Sequence, residues 1–153
     1  MSSVARALRP TQDLLEFRPM TTAIAESILV PPGTVATAKG DGPAVEVSNT
    51  STRVFLATLT ITQIIEQESL DVSIFASADG AVWDAKSIAA FRQEFYAGET
   101  PLLVDLRENL SVKFLRAHWE VARWGRGTET PMFEFGVTVK EVPADIVKEL
   151  KTA

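Results

Sequence analysis

The chain has 153 residues, no cysteine, a single histidine and a formal net charge of −5. The missing cysteines exclude disulfides, thiolate metal ligands and cysteine nucleophiles together, and one histidine excludes a multi-histidine metal centre within one chain. An acidic surface repels phosphate backbones, so nucleic acid is not an expected partner, and no run of 18 apolar residues supports a membrane-spanning helix.

Length and composition predict one domain, long enough to bury roughly 68–70% of its unfolded surface without metals or cross-links. Residues 1–22 read as an arm, broken by Pro10 and Pro19 and carrying the apolar patch Leu14, Leu15 and Phe17. Chain termini are usually disordered, yet three such side chains are too apolar to leave in water. The arm is therefore expected to dock, principally on another chain. The first 19 residues hold Arg6 and Arg9 but neither a continuous apolar core nor a small-residue cleavage site, so a secretory leader is not expected.

The sandwich domain is assigned to residues 23–142. Residues 27–30 (SILV) predict a short strand stopped by Pro31-Pro32-Gly33, and residues 39–43 (KGDGP) a turn. Residues 44–48 alternate as a strand, and residues 54–65 (VFLATLTITQII) are the longest β-rich run. In residues 70–77, Leu70, Val72, Ile74 and Ala76 alternate with Asp71, Ser73, Phe75 and Ser77, the period of a half-buried strand. Asp79-Gly80 then suits a tight turn, and Trp83 is placed to return over it.

Ile88, Phe91, Phe95 and Tyr96 fit either a short helix or a strand with an irregular crossing. Residues 98–101 (GETP) read as a turn and residues 102–106 as a strand. Residues 112–124 put Lys113, Leu115, Ala117, Trp119 and Val121 on one face, with Phe114, Arg116, His118 and Glu120 on the other. Residues 125–131 form a loop. Phe133, Phe135, Val137 and Val139 are the cleanest apolar alternation in the chain. Residues 143–153 predict a short C-terminal helix, with Pro143 at its start, Asp145 in its first turn and Lys148 late. About eight short strands with turns between them and no βαβ alternation predict an all-β, antiparallel sandwich of jelly-roll/Greek-key type.

The order Ser77, Asp79, Gly80, Trp83, then FLRAHW at 114–119 and FEFGVTV at 133–139, resembles two groups. One is the discoidin-type, galactose-binding-like sandwich. The other is the small β-sandwich structural proteins of tailed phages and phage-like particles. Discoidin-type lectins are mostly secreted and often clasped by a disulfide, and this chain departs from that pattern. The second resemblance implies a non-enzymatic subunit of a particle, in a capsid-decoration, tail or adaptor role. Copies of itself and other particle proteins would be its partners, and the virion or cytoplasm its location. The alternative is a carbohydrate-binding module.

The candidate contact residues are Arg123, Trp124 and Arg126 on the loop side, an aromatic with two arginines beside glycines, which is the composition of a contact surface or a sugar-stacking site. Leu14, Leu15 and Phe17 are the candidates on the arm. His118 lacks a nucleophile and an orienting group at any readable spacing, so no catalytic residue is assigned. Asp71, Asp79, Asp84, Asp105 and Glu108 offer oxygen ligands for calcium, but without an EF-hand spacing they read as turn residues. No metal site and no cofactor is assigned. Trp83 and Trp119 are both expected in the core.

Overall fold

The computed structural model describes residues 26–65, 68–123 and 132–150. Its elements are β1 (Glu26–Ala36), β2 (Gly40–Asp41), β3 (Val45–Glu46), β4 (Val54–Ile65), β5 (Glu68–Ser77), β6 (Ala89–Ala90), β7 (Gly98–Asp105), β8 (Phe114–Arg123), β9 (Met132–Glu141) and the helix α1 (Ala144–Leu150). One sheet has the order β1-β9-β4-β7, the other β2-β8-β5-β6 with β3 also on β8. Every pairing is antiparallel. With β2 and β3 counted as one interrupted strand, the chain passes between the sheets in jelly-roll order. The fold is the antiparallel sandwich that the alternation predicts.

Period-two patterning decides what lies between the sheets. From the first sheet come Phe55, Ala57, Leu59 and Ile61 of β4 and Phe133, Phe135, Val137 and Val139 of β9. They meet Leu70, Val72, Ile74 and Ala76 of β5 and Leu115 and Ala117 of β8. Trp119 stands edge-on to Phe135, ring centroids 5.3 Å apart, so its expected core position holds.

Trp83 does not share it. It lies half-buried on the outer face of the second sheet, its ring covered by the Arg116 guanidinium 4.5 Å from the centroid. The interior is filled by aliphatic side chains of β5 and β8, and the turn that carries Trp83 folds back outside them.

Two proline-bearing segments also depart from expectation. Pro31-Pro32-Gly33 does not end β1. The strand shifts register between Ile28 and Val30 and again between Val30 and Thr34, then resumes to Ala36. The expected turn at residues 98–101 is the first half of β7, with Pro101 opposite Thr58. The reason is common to both. β1 and β7 are the edge strands of their sheet, each with a flank that needs no ladder hydrogen bond, and an edge tolerates the N–H that proline lacks. Pro32 also crosses over Gly136, where a Cβ would lie 2.9 Å from the Pro32 Cα.

Residues 85–97 resolve as the irregular strand. Ile88 N–H donates to Ile74 O at 2.8 Å, Phe91 N–H to Val72 O at 2.9 Å, and Glu94 and Leu70 bond each other reciprocally, while only Ala89–Ala90 is regular. The expected turn at residues 39–43 contains β2. The sandwich thus has no long, clean edge among its described residues: prolines interrupt both edges of the first sheet, and β2, β3 and β6 are two residues each. Such edges resist pairing with another chain's strand.

Candidate functional site

Two surfaces stand out among the described residues, one on each sheet. On the second sheet, β8 presents Arg116, His118 and Glu120 outward. Register sets Arg116 opposite Phe75 and His118 between Asp41 and Ser73. The turn after β5 completes the surface. Gly80 takes φ +81°. The Ser77 hydroxyl accepts from Gly80 N–H at 2.8 Å, and Asp79 Oδ1 accepts from Ala81 N–H at 2.9 Å and Val82 N–H at 3.0 Å. These backbone donors, first that of Val82, hold the Asp79 carboxyl below its ordinary value. Asp84 N–H then bonds Ala76 O at 3.0 Å, which brings Trp83 and Asp84 back over Arg116.

The result is an open depression of about 220 Å³ lined by Asp41, Phe75, Trp83, Asp84, Arg116 and His118. His118 Nδ1 lies 2.9 Å from Asp41 Oδ1, and Nε2 lies 3.1 Å from Glu120 Oε2. Its ring is edge-on to Phe75. Arg116 Nε is 3.8 Å from the same Asp41 oxygen, an ion pair without a hydrogen bond. A neutral imidazole donates through one nitrogen only, whereas the imidazolium satisfies both carboxylates. Burial opposes that charge, but the hydrogen bonds to Glu120 and Asp41 outweigh it and raise the His118 pKa.

A group whose pKa is raised by folding stabilises the fold fully below its unfolded value and loses that contribution as pH rises through the folded value. Stability should therefore fall modestly as pH climbs from about 6.5, the ordinary histidine value, through the raised one. Arg116 and Asp84 line the same depression beside His118. Urea unfolding at pH 5.5 and 8.5 should reveal the difference in the native sequence and not in His118→Gln. Equal slopes in both proteins would show that the two carboxylates do not hold the charged ring.

The second surface is apolar. On the outer face of the first sheet, Lys140 of β9 lies opposite Leu56 of β4, and Leu56 opposite Leu103 of β7. Leu56 and Leu103 break the polar-outward pattern of their strands and are 41% and 46% exposed. After β9 the chain turns at Val142 and Pro143, and α1 starts with Ile146 and Val147 N–H groups on Pro143 O. Ile146 is 47% exposed. Leu56, Leu103, Val142, Pro143 and Ile146 line a groove of about 260 Å³ with the Lys140 stem at its side. Ile28, 49% exposed, lies on the same face but across β9 from Leu56, with Thr138 and Lys140 between them. The corner below is anchored by Glu141 Oε2, which accepts from Ser51 N–H at 2.8 Å and Thr52 N–H at 2.7 Å. Burial alone would raise the Glu141 pKa, but these hydrogen bonds keep it lowered.

Of the residues singled out from the sequence, Arg123 closes β8 opposite Glu68, while Trp124 and Arg126, and Leu14, Leu15 and Phe17, lie outside the described residues. Glu68 is 1% exposed, and its Oε1 accepts from Ile65 N–H at 3.0 Å and Met132 N–H at 3.1 Å, tying the two sheets at that end. The carboxylates offered for calcium serve local roles: Asp79 caps a turn, Asp105 pairs with Arg107 at 2.7 Å, and Asp71 accepts from Gln93. Among the described residues no three histidine, aspartate or glutamate side chains gather as a metal-ligating group. No helix of the described residues is long and apolar enough to cross a membrane. Sequence reading missed Asp41, Phe75 and the groove, and it took Asp84 for a turn residue, not a member of this surface. The groove had a legible signal in Leu56 and Leu103, apolar residues at outward positions, whereas Asp41 meets His118 from 77 residues away. No protein-family model matches this chain, and no curated protein sequence matches it.

Proposed function

We propose that the chain is a non-enzymatic structural subunit that assembles with copies of itself and with other proteins of a phage or phage-like particle. The observation that carries this reading is the apolar groove between the outer face of the first sheet and α1, where Leu56, Leu103 and Ile146 are each between 41% and 47% exposed. Contiguous apolar surface of this kind marks an interaction site. The motif order Ser77, Asp79, Gly80, Trp83 and the late FLRAHW strand, which resembles phage sandwich proteins, supports the same reading. Jelly rolls serve both capsids and lectins, so the fold alone does not choose between them.

Mass in solution tests the proposal. The full-length chain should self-associate, and a chain starting at Thr22 should stay folded with an unchanged melting midpoint but remain a monomer. A full-length monomer at tens of micromolar, or a truncated chain that assembles normally, overturns it. Carbohydrate binding is the second reading, favoured by the aromatic and carboxylate lining of the Trp83 depression. Its test is a change in Trp fluorescence with a panel of monosaccharides that Trp83→Ala abolishes.

A further inference from the structure

Resting on the assembly reading above, we infer that the groove of Leu56, Leu103, Val142, Pro143 and Ile146 receives the arm segment Leu14-Leu15-Glu16-Phe17 of a second copy.

Four observations converge on that occupant. The first is where the arm starts. Glu26 lies opposite Lys140, Lys140 opposite Leu56, and Leu56 opposite Leu103, one row across the outer face. With strands about 4.8 Å apart, Leu56 is about 10 Å from Glu26 and Leu103 about 14 Å. Because β1 is antiparallel to β9, the first residue of β1 lies at the end of β9 from which Val142, Pro143 and α1 continue.

The second is reach. Phe17 precedes Glu26 by nine residues, about 30 Å when extended. Pro19 fixes its own φ and biases Arg18 toward extended backbone, and the β-branched Thr21, Thr22 and Ile24 favour the same. That extended length exceeds the distance to its own groove and is enough to reach a neighbour's. The third is charge. Asp13 and Glu16 flank or interrupt the triplet, while Lys140 lines the groove and is exposed, and the Glu141 carboxylate is turned away to Ser51 and Thr52. The fourth is mode. Prolines interrupt both edges of this sheet, which disfavours strand addition and leaves side chains packing into a groove as the way to hold an arm.

Complementation separates this arrangement from its rivals. Leu103→Asp alters a residue that is 46% exposed, so the variant should keep its melting midpoint while self-association weakens about ten- to hundredfold, the worth of a buried leucine. Leu103→Asp full-length chains, with intact arms, should still form a heterodimer with chains truncated to start at Thr22, which keep intact grooves. Sedimentation of the equimolar mixture should show it, although each chain alone is monomeric. If full-length chains associate and the truncation abolishes this, but Leu103→Asp does not, the assembly reading stands and the groove is the wrong acceptor. If both single variants are monomeric and the mixture stays monomeric, exchange between copies is overturned. If full-length chains are monomers and Leu103→Asp lowers their melting midpoint, the arm lies in its own groove, and both this inference and the reading beneath it fail.

Discussion

Phe135→Ala should cost about 3–5 kcal/mol, the range for truncating a fully buried phenylalanine. Phe135 is 0% exposed and faces Trp119 edge-on, ring planes at 81°. The variant loses transfer free energy, leaves a cavity, and gives up an aromatic pair worth about 0.5–1.5 kcal/mol beyond its area. Against a typical total of about 5–15 kcal/mol the loss is large, and the melting midpoint should fall by roughly 6–20 °C for a domain of this size. Phe135→Leu conserves most of the volume and should cost under about 1.5 kcal/mol. Leu110→Ala, at a position 72% exposed, should stay within about 0.5 kcal/mol. Urea unfolding of the three variants checks the ranking, and a Phe135→Ala loss below about 1 kcal/mol would mean that the core closes around the gap.

That prediction rests on a face assignment that alternation alone supplies. The same holds for β4, whose ends at Val54 and Ile65 coincide with the β-rich run in the sequence, and for the Asp79-Gly80 turn, where side-chain chemistry and a positive φ act within a few residues. Local signals fail where a neighbour decides. Proline at residues 31, 32 and 101 opposes a strand only if both flanks are paired, and whether β1 and β7 are edges depends on strand order, which residue spacing does not encode. Trp83 illustrates a second limit. Bulk and position after a turn suit a core residue, but the interior was already filled by β5 and β8, and the ring packs on Arg116 outside. Arg53 is a third case. It adopts φ +57° and donates to the carbonyls of Asn109 at 2.7 Å and Val112 at 3.0 Å, a staple across more than fifty residues that a polar stretch gives no reason to expect.

The two surfaces differ in the same way. Leu56 and Leu103 can be found from pattern because an outward leucine contradicts the period of its own strand. The His118 cluster is assembled from β2, β5, β8 and the turn after β5, so neither its members nor its electrostatics follow from spacing. Its dependence on β2 leads to the second large effect expected, at a glycine that no turn requires.

Gly42→Ala should cost about 1–3 kcal/mol, the range for overpacking a well-filled site, and should also disturb His118. A Cβ at Gly42 would sit 2.4 Å from the Leu29 carbonyl oxygen, closer than any relaxed contact. Its φ is not in the left-handed region, so glycine is needed here for space and not for backbone freedom. Leu29 lies at the register shift of β1, and Gly42 N–H donates to Ala117 O at 2.8 Å. The residue is therefore held between the edge of one sheet and β8 of the other, and backbone must yield on one side. If the segment carrying β2 moves, Asp41 leaves His118 Nδ1, one of the two carboxylates that raise the histidine pKa is lost, and the fall in stability at alkaline pH should flatten toward that of His118→Gln. Urea unfolding of Gly42→Ala at pH 5.5 and 8.5 measures both effects together. A cost above about 1 kcal/mol with the pH slope intact would place the relaxation in β1. A cost below about 0.5 kcal/mol would show that the contact between Gly42 and Leu29 is not tight in solution.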